Sequence, residues 1–257
     1  MKRWGFMAWA LLLSLSLGAA AWGDTLADVK AKGVLVAGIK DSAPPFGFID
    51  PQTRAIVGYD VDFCKAIAKK LGVKLEIKAV TSATRMPQLI AGNIDLVAAT
   101  MTITAERAKQ IDFSYVYFLT GQKFLTKKGT VGKLADLEGK KIGTAKGSTS
   151  EQNAKKALPT ATILSFDDYP SAFLALQQGK VVAVTTDESM LAGLLGKAPN
   201  KEAFEIPDIR ISDEPYGLGI RKGDKGLLDA VNATLLEMEK SGEAAKVFEK
   251  WFGPKTD

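Results

Sequence analysis

The side chains able to do chemistry in this chain gather where its apolar runs stop. Lys40 and Asp41 follow the buried run 34–39, and Thr81, Ser82, Thr84 and Arg85 follow the alternating run 73–80. Thr100, Thr102 and Arg107 come after 94–99, Ser148 and Thr149 after the first apolar run of the second half, and Asp187 after the last. The set holds three cations, one or two anions and several hydroxyls. It suits the holding of an anion or a zwitterion: arginine offers a planar fork to a carboxylate, and a buried aspartate pairs with an ammonium. It is poorly suited to proton shuttling at neutral pH, because the chain has no histidine.

The missing histidine excludes Ser-His-Asp and Cys-His nucleophiles and imidazole-bound zinc. A single cysteine excludes an internal disulfide, a paired redox site and a thiolate cage. No cofactor, no metal ligand and no catalytic residue is expected. The 257 residues, 46% hydrophobic and 25% charged, are enough for two domains.

Strand and helix patterns alternate along the chain. Residues 34–39 read as a buried strand, 61–71 as a helix stopped by Gly72, 73–80 as a strand, 86–91 as a short helix ended by Gly92, and 94–99 as another strand. A similar succession occupies 133–210, and 227–252 reads as helix broken near Ser241 and Gly242. Such alternation predicts an α/β protein with a largely parallel sheet. Two echoes suggest that the halves share a design: 26–29 resembles 134–137, and 89–100 resembles 176–187. Under that reading Thr100 and Asp187 hold equivalent places at carboxyl ends of strands, where ligands of open α/β sheets bind. Chance likeness between generic α/β units is the alternative.

The amino terminus opens Met1-Lys2-Arg3, runs through an apolar stretch to Leu17 and ends in small residues up to Gly23, the pattern of a cleaved signal peptide over 1–23. Cleavage is expected after Gly23 or after Ala21, giving a soluble exported protein, periplasmic in location. Removal of Lys2 and Arg3 leaves 32 basic against 29 acidic residues, so the charge drops from +5 to +3. The remaining lysines are interspersed with acids, as on a solvated surface, which argues against a nucleic-acid partner.

The segment Gly58-Tyr-Asp-Val-Asp-Phe-Cys-Lys-Ala-Ile-Ala-Lys-Lys-Leu-Gly72 resembles one shared by extracellular solute-binding proteins of polar-amino-acid ABC transporters. So do Gly92-Asn-Ile-Asp-Leu-Val-Ala-Ala-Thr-Met-Thr-Ile-Thr-Ala-Glu-Arg107, Ile111-Asp-Phe-Ser114, and Ser241-Gly-Glu-Ala with Trp251-Phe252. The likeness extends over 24–254. It implies a periplasmic-binding-protein-like (type II) fold: two α/β lobes joined by two crossing strands, near 122–128 and 215–221, with a ligand cleft between them. Lobe 1 would comprise 24–124 and 216–257, and lobe 2 residues 125–215. The resemblance implies that Arg107 clamps the ligand α-carboxylate with help from the Thr102 N–H. It further implies that Thr100 and Asp187 hold the α-ammonium, and that Ser148 and Thr149 add donors from the second lobe.

Thr81-Ser-Ala-Thr-Arg-Met-Pro-Gln-Leu89 resembles the glutamate/aspartate branch, which places an arginine at Arg85. Ser82 lies in the same loop and joins the expected ligand set. Lys40 would be the second cation for a side-chain carboxylate, and Tyr169 could add a hydroxyl. Charge counting agrees: Arg107 and Asp187 balance the ligand backbone, leaving Arg85 and Lys40. The expected function is therefore capture of L-glutamate or L-aspartate by a monomer that closes about a hinge and delivers its cargo to an inner-membrane ABC permease. The loop 41–46 carries Ala43 where many relatives stack an aromatic ring, which leaves Phe46 as a candidate cleft wall.

Other roles stay open for these residues. Asp187 is placed to cap the helix at Glu188, Ser148 and Thr149 are placed to cap another, and Arg85 and Lys40 could be surface cations. Asp60 and Asp62 read as acids favouring a helix start, and Cys64 as core. An exported prephenate or arogenate dehydratase on the same fold is the enzyme alternative. It lacks a convincing cleft glutamate. A sensor ectodomain would be followed by a membrane span, whereas the chain stops at Asp257.

Overall fold

The computed structural model describes residues 25–254; the expected signal peptide lies outside the described residues. In chain order the first half holds α1 (Thr25–Lys32), β1 (Val34–Ile39), β2 (Ser42–Ala43), β3 (Gly47–Ile49), β4 (Ile56–Val57), α2 (Tyr59–Leu71), β5 (Lys74–Ala79), α3 (Arg85–Ile90), β6 (Leu96–Val97), α4 (Ala105–Ala108) and β7 (Ile111–Lys127). The second half holds β8 (Lys141–Ala145), α5 (Thr149–Ala157), β9 (Thr162–Phe166), α6 (Tyr169–Gln177), β10 (Ala183–Asp187), α7 (Glu188–Gly196), β11 (Phe204–Glu205), β12 (Ser212–Arg221), α8 (Lys225–Ser241) and α9 (Glu243–Phe252).

Helix α2 shows how locally the sequence acts. Val61, Phe63, Cys64, Ile67 and Ala68 recur at helical spacing and are buried. Gly72, at φ 72°, ends the helix in the left-handed region, where its N–H reaches the Ala68 and Lys69 carbonyls. Gly242 does the same for α8, and the predicted break separates α8 from α9. Strand β6 is shorter than the expected 94–99, pairing only at Leu96 and Val97; the backbone beyond it leaves the ladder to position Thr100.

One curled sheet runs through the molecule in the order β5-β1-β6-β12-β7-β10-β8-β9, with β11 attached to β7. The order is nearly symmetrical. On one side β1 pairs in parallel with β5 and β6; on the other β8 pairs in parallel with β9 and β10. Between them β7 and β12 form an antiparallel ladder from Ile111–Arg221 to Gln122–Ser212. The carboxyl ends of the parallel strands thus face each other across the long pair. The match is internal as well: β6 lies between β1 and β12 as β10 lies between β8 and β7. Thr100 and Asp187 accordingly occupy equivalent positions, as the sequence echo predicts.

The main core joins α2, α6, α8 and α9 to the sheet. Phe46 belongs to it. The ring is fully buried and packs edge-on against Tyr59, Phe118 and Tyr216, so it supports the site from behind and does not wall the gap.

Candidate ligand-binding site

On the first-lobe side the residues beyond β1, β5 and β6 converge. Lys40 is 5% exposed; its Nζ donates to Thr100 Oγ1 at 2.8 Å and sits 5.3 Å from the centre of the Tyr169 ring in the other lobe. Arg85, the first residue of α3, is buried and donates to the carbonyls of Ala99 and Thr100. Thr100 has φ 48°, a left-handed conformation uncommon for a β-branched residue. Such a conformation costs on the order of 1–3 kcal/mol and persists only where the surroundings impose it. Here they do: its N–H donates to Asp60 Oδ2 at 3.1 Å, its hydroxyl accepts from Lys40 and its carbonyl from Arg85. Thr104 caps the short helix α4 by accepting the Arg107 N–H. The Arg107 guanidinium turns inward, donating to the Thr102 carbonyl at 2.8 Å.

The second lobe meets this face directly. Ser148 caps α5, accepting the Glu151 N–H while donating to the Ala145 carbonyl, so the capping alternative describes its side chain. Thr149 Oγ1 lies 3.2 Å from Thr102 Oγ1, and both donate to Glu214. Tyr169, at the start of α6, places its hydroxyl 3.4 Å from Ser150 Oγ. Asp187 ends β10 and makes no side-chain cap to α7. One of its oxygens accepts from Tyr216; the other, Oδ1, is buried without a partner, and so is Ser82 Oγ. An unsatisfied buried polar atom costs about 1–3 kcal/mol and calls for an explanation. The narrow gap between the lobes is lined by Lys40, Ala43, Ser82, Ala145, Asp168 and Tyr169.

Burial controls the electrostatics. It pushes the Lys40 ammonium well below its usual range, and Arg85 adds to the effect. The Arg85 and Arg107 guanidiniums are lowered chiefly for the same reason. Burial raises the Asp187 carboxyl to about 7, reinforced by the neighbouring Glu214 charge and opposed by the Tyr216 hydrogen bond. Asp60 is raised by burial to about 6, with the Tyr117 and Thr100 hydrogen bonds and the charges of Lys40 and Arg85 working against the rise.

All ten expected residues, Lys40, Ser82, Arg85, Thr100, Thr102, Arg107, Ser148, Thr149, Tyr169 and Asp187, are buried and border this one interface. Sequence reading misses two carboxylates. Glu214 is fully enclosed on β12, and accepts from Asn153 at 2.9 Å and Ser212 at 2.5 Å besides the two threonines. Asp60, read as an acid at a helix start, points away from its own helix to Thr100 and Tyr117. Both change the charge count. Three cations (Lys40, Arg85, Arg107) are matched by three acids (Asp60, Asp187, Glu214).

Residues 35–254 match the family described as bacterial extracellular solute-binding proteins, family 3. The ABC transporter glutamine-binding protein GlnH of Bacillus subtilis (strain 168) is 41% identical over 233 residues, covering 89% of this chain and 84% of that protein. The glutamate/aspartate import solute-binding protein of Salmonella typhimurium is 35% identical, covering 91% and 82%. Among solved structures, an ancestral arginine-binding protein bound to glutamine superposes with a TM-score of 0.82 at 45% identity, covering 86% of this chain and 98% of that one. A glutamine-binding protein and an ancestral arginine-binding protein therefore stand at higher identity than this glutamate/aspartate-binding one. The periplasmic-binding-protein-like fold expected from the sequence is thereby confirmed, and among the described residues no helix is long and apolar enough to cross a membrane. The chain belongs to the bacterial extracellular solute-binding proteins of family 3, an amino-acid-binding component of the ABC-transporter type.

Proposed function

We propose that this protein captures, in the periplasm, a free amino acid whose side chain ends in a carboxylate or carboxamide, closes on it and delivers it to a membrane permease. One observation carries the reading. Two buried polar atoms without partners, Ser82 Oγ and Asp187 Oδ1, lie in an interface that also buries Lys40, Arg85 and Arg107. A zwitterion with a polar tail supplies what these groups lack.

In this reading Arg107, the Thr102 N–H and the Ser148–Thr149 start of α5 take the α-carboxylate. Asp187 and Thr100 take the ammonium, while Lys40, Arg85, Ser82 and Tyr169 face the side-chain tip. The moving bodies are 25–124 with 216–254, and 125–215, hinged where β7 and β12 pass from one to the other; the bound ligand stabilises the closed form. The protein acts as a monomer and transforms nothing.

L-Glutamate and L-aspartate are the first reading, because Lys40 and Arg85 both converge on Thr100. L-Glutamine is the second, favoured by Asp60 and Glu214: with three buried acids against three buried cations, the whole site is balanced for a ligand of zero net charge. A thermal-shift panel of the twenty amino acids tests both, since a ligand at about 100 times its Kd adds about 2.7 kcal/mol of stability. The largest shifts are expected for glutamate, aspartate or glutamine. Largest shifts with arginine or apolar amino acids would overturn the reading, and so would turnover of prephenate followed by chromatography.

A further inference from the structure

The residue that decides between a carboxylate and a carboxamide is expected among the cations, yet the structure points to an acid behind them. Asp60 is fully buried in the first turn of α2, but neither of its oxygens caps that helix. Oδ1 accepts from the Tyr117 hydroxyl at 2.6 Å and Oδ2 accepts the Thr100 N–H at 3.1 Å, reaching 57 and 40 residues along the chain. The neighbouring acid behaves quite differently: Asp62 pairs with Lys65 and Lys250 at the surface.

Thr100 is where the charges meet. Its N–H is held by Asp60, its hydroxyl by Lys40 and its carbonyl by Arg85, all around a backbone at φ 48°. Two cations and one anion thus share a single residue as scaffold. The relation is electrostatic as well as geometric: the Lys40 and Arg85 charges act on the Asp60 carboxyl through space, opposing its rise by burial. In a buried site one unit charge facing a ligand tip is enough to change a preference by an order of magnitude.

We propose that Asp60 is a specificity-determining positioning residue: by fixing Thr100 and neutralising one of the two cations beside it, it sets how much negative charge the site accepts in a ligand side chain. Asp60 does not touch the ligand and acts through Lys40, Arg85 and the Thr100 backbone. The proposal rests on the amino-acid-binding reading above and deepens it. With Asp60 ionised, the side-chain end of the site carries one surplus positive charge; without it, two.

Competition binding on the full-length mature protein, with L-glutamate and L-glutamine as probes, tests this. Asp60→Asn keeps the size and the acceptor for Thr100 and removes the charge; it should raise the affinity for glutamate relative to glutamine tenfold or more. Asp60→Glu, which keeps the charge, should leave that ratio within about threefold of wild type even where both affinities drop. Equal losses for the two ligands in Asp60→Asn would reduce Asp60 to a structural support and overturn the proposal. Should Asp60→Asn fail to fold, the wild-type protein still decides: its Asp60 carboxyl carbon, followed by NMR at pH 8, must show the ionised form. A protonated Asp60 there would have no charge to contribute. Wild-type protein that binds none of glutamate, aspartate, glutamine and asparagine would instead refute the functional reading itself.

Discussion

Thr102 and Thr149 lie 47 residues apart and in opposite lobes, yet their hydroxyls are 3.2 Å apart and both donate to one oxygen of Glu214, at 2.6 and 2.9 Å. Glu214 stands on β12, one of the two strands shared by the lobes. A single buried carboxylate therefore ties together the two backbone segments assigned to the ligand α-carboxylate. Its other oxygen is held by Asn153 and Ser212.

Glu214→Gln is accordingly expected to weaken binding of every amino acid ligand by about 10–100-fold, since hydrogen bonds to a charged group contribute about 1.5–3 kcal/mol. Calorimetric titration reads this directly. An unchanged Kd would mean that the threonine pair closes without the carboxylate.

Closure also has a steric test. Gly193 in α7 faces Pro44 of the other lobe so closely that a Cβ would run into the Pro44 carbonyl oxygen, and a Cβ on Gly147 would come within 2.8 Å of Ala83 Cα. Gly193→Val should hold the lobes apart, lowering affinity at least tenfold and leaving a larger radius of gyration by small-angle scattering with saturating ligand. Because the clash exists only when the lobes meet, its ligand-free melting temperature should move little. Wild-type affinity and compaction would show that α7 and the Pro44 loop yield.

Much of this arrangement is legible in the sequence, and for a physical reason. Parallel strands buried on both faces read as apolar runs, so the polar residues that end them stand out, and Lys40, Thr100 and Asp187 are found that way. Asp60 and Glu214 are not. Asp60 sits where an acid already has a reason to be, at the positive end of a helix, and nothing local reveals that its carboxylate crosses to Thr100. Glu214 lies in a strand among Asp213, Pro215 and Tyr216, and its partners Thr102, Thr149 and Asn153 are brought to it only by tertiary folding. A charge count made on visible cations alone thus overstates the positive charge of the site. That is why the acidic preference, persuasive from Arg85 and Lys40, has glutamine as a serious rival.

Arg107 and Arg85 should separate binding from discrimination. Arg107, whose guanidinium is anchored by the Thr102 carbonyl, is assigned in the proposed function to the α-carboxylate common to all amino acids, so Arg107→Ala should reduce affinity for all ligands about 100-fold or more, the scale of a lost buried charged pair. Arg107→Lys should restore little, because an ammonium lacks the two-pronged geometry. Arg85→Ala should cost glutamate more than glutamine. Equal loss for both ligands in calorimetry would assign Arg85 to holding the Ala99 and Thr100 carbonyls.

The pH dependence should be unusual for a protein without histidine. Burial holds the Asp187 carboxyl at about 7 against 3.8 for an ordinary one. The folded, ligand-free protein therefore keeps a proton that the unfolded chain has lost. That contribution to stability is fully present below about pH 4 and disappears as pH rises through 7. The groups that interact with Asp187 include Lys40, Arg85, Arg107, Glu214, Tyr169 and Tyr216, so the effect is isolated by comparison with Asp187→Asn. Between pH 5 and 8 the ligand-free wild type should lose thermal stability relative to that variant. Ligand binding should run the other way: an ammonium needs the ionised carboxylate, so wild-type affinity rises with pH up to about 7 and each binding event below it releases a proton. Titrations in buffers of different ionisation enthalpy at pH 6 measure that proton. A release of zero, or the same pH profile in Asp187→Asn, would remove Asp187 from the ammonium site.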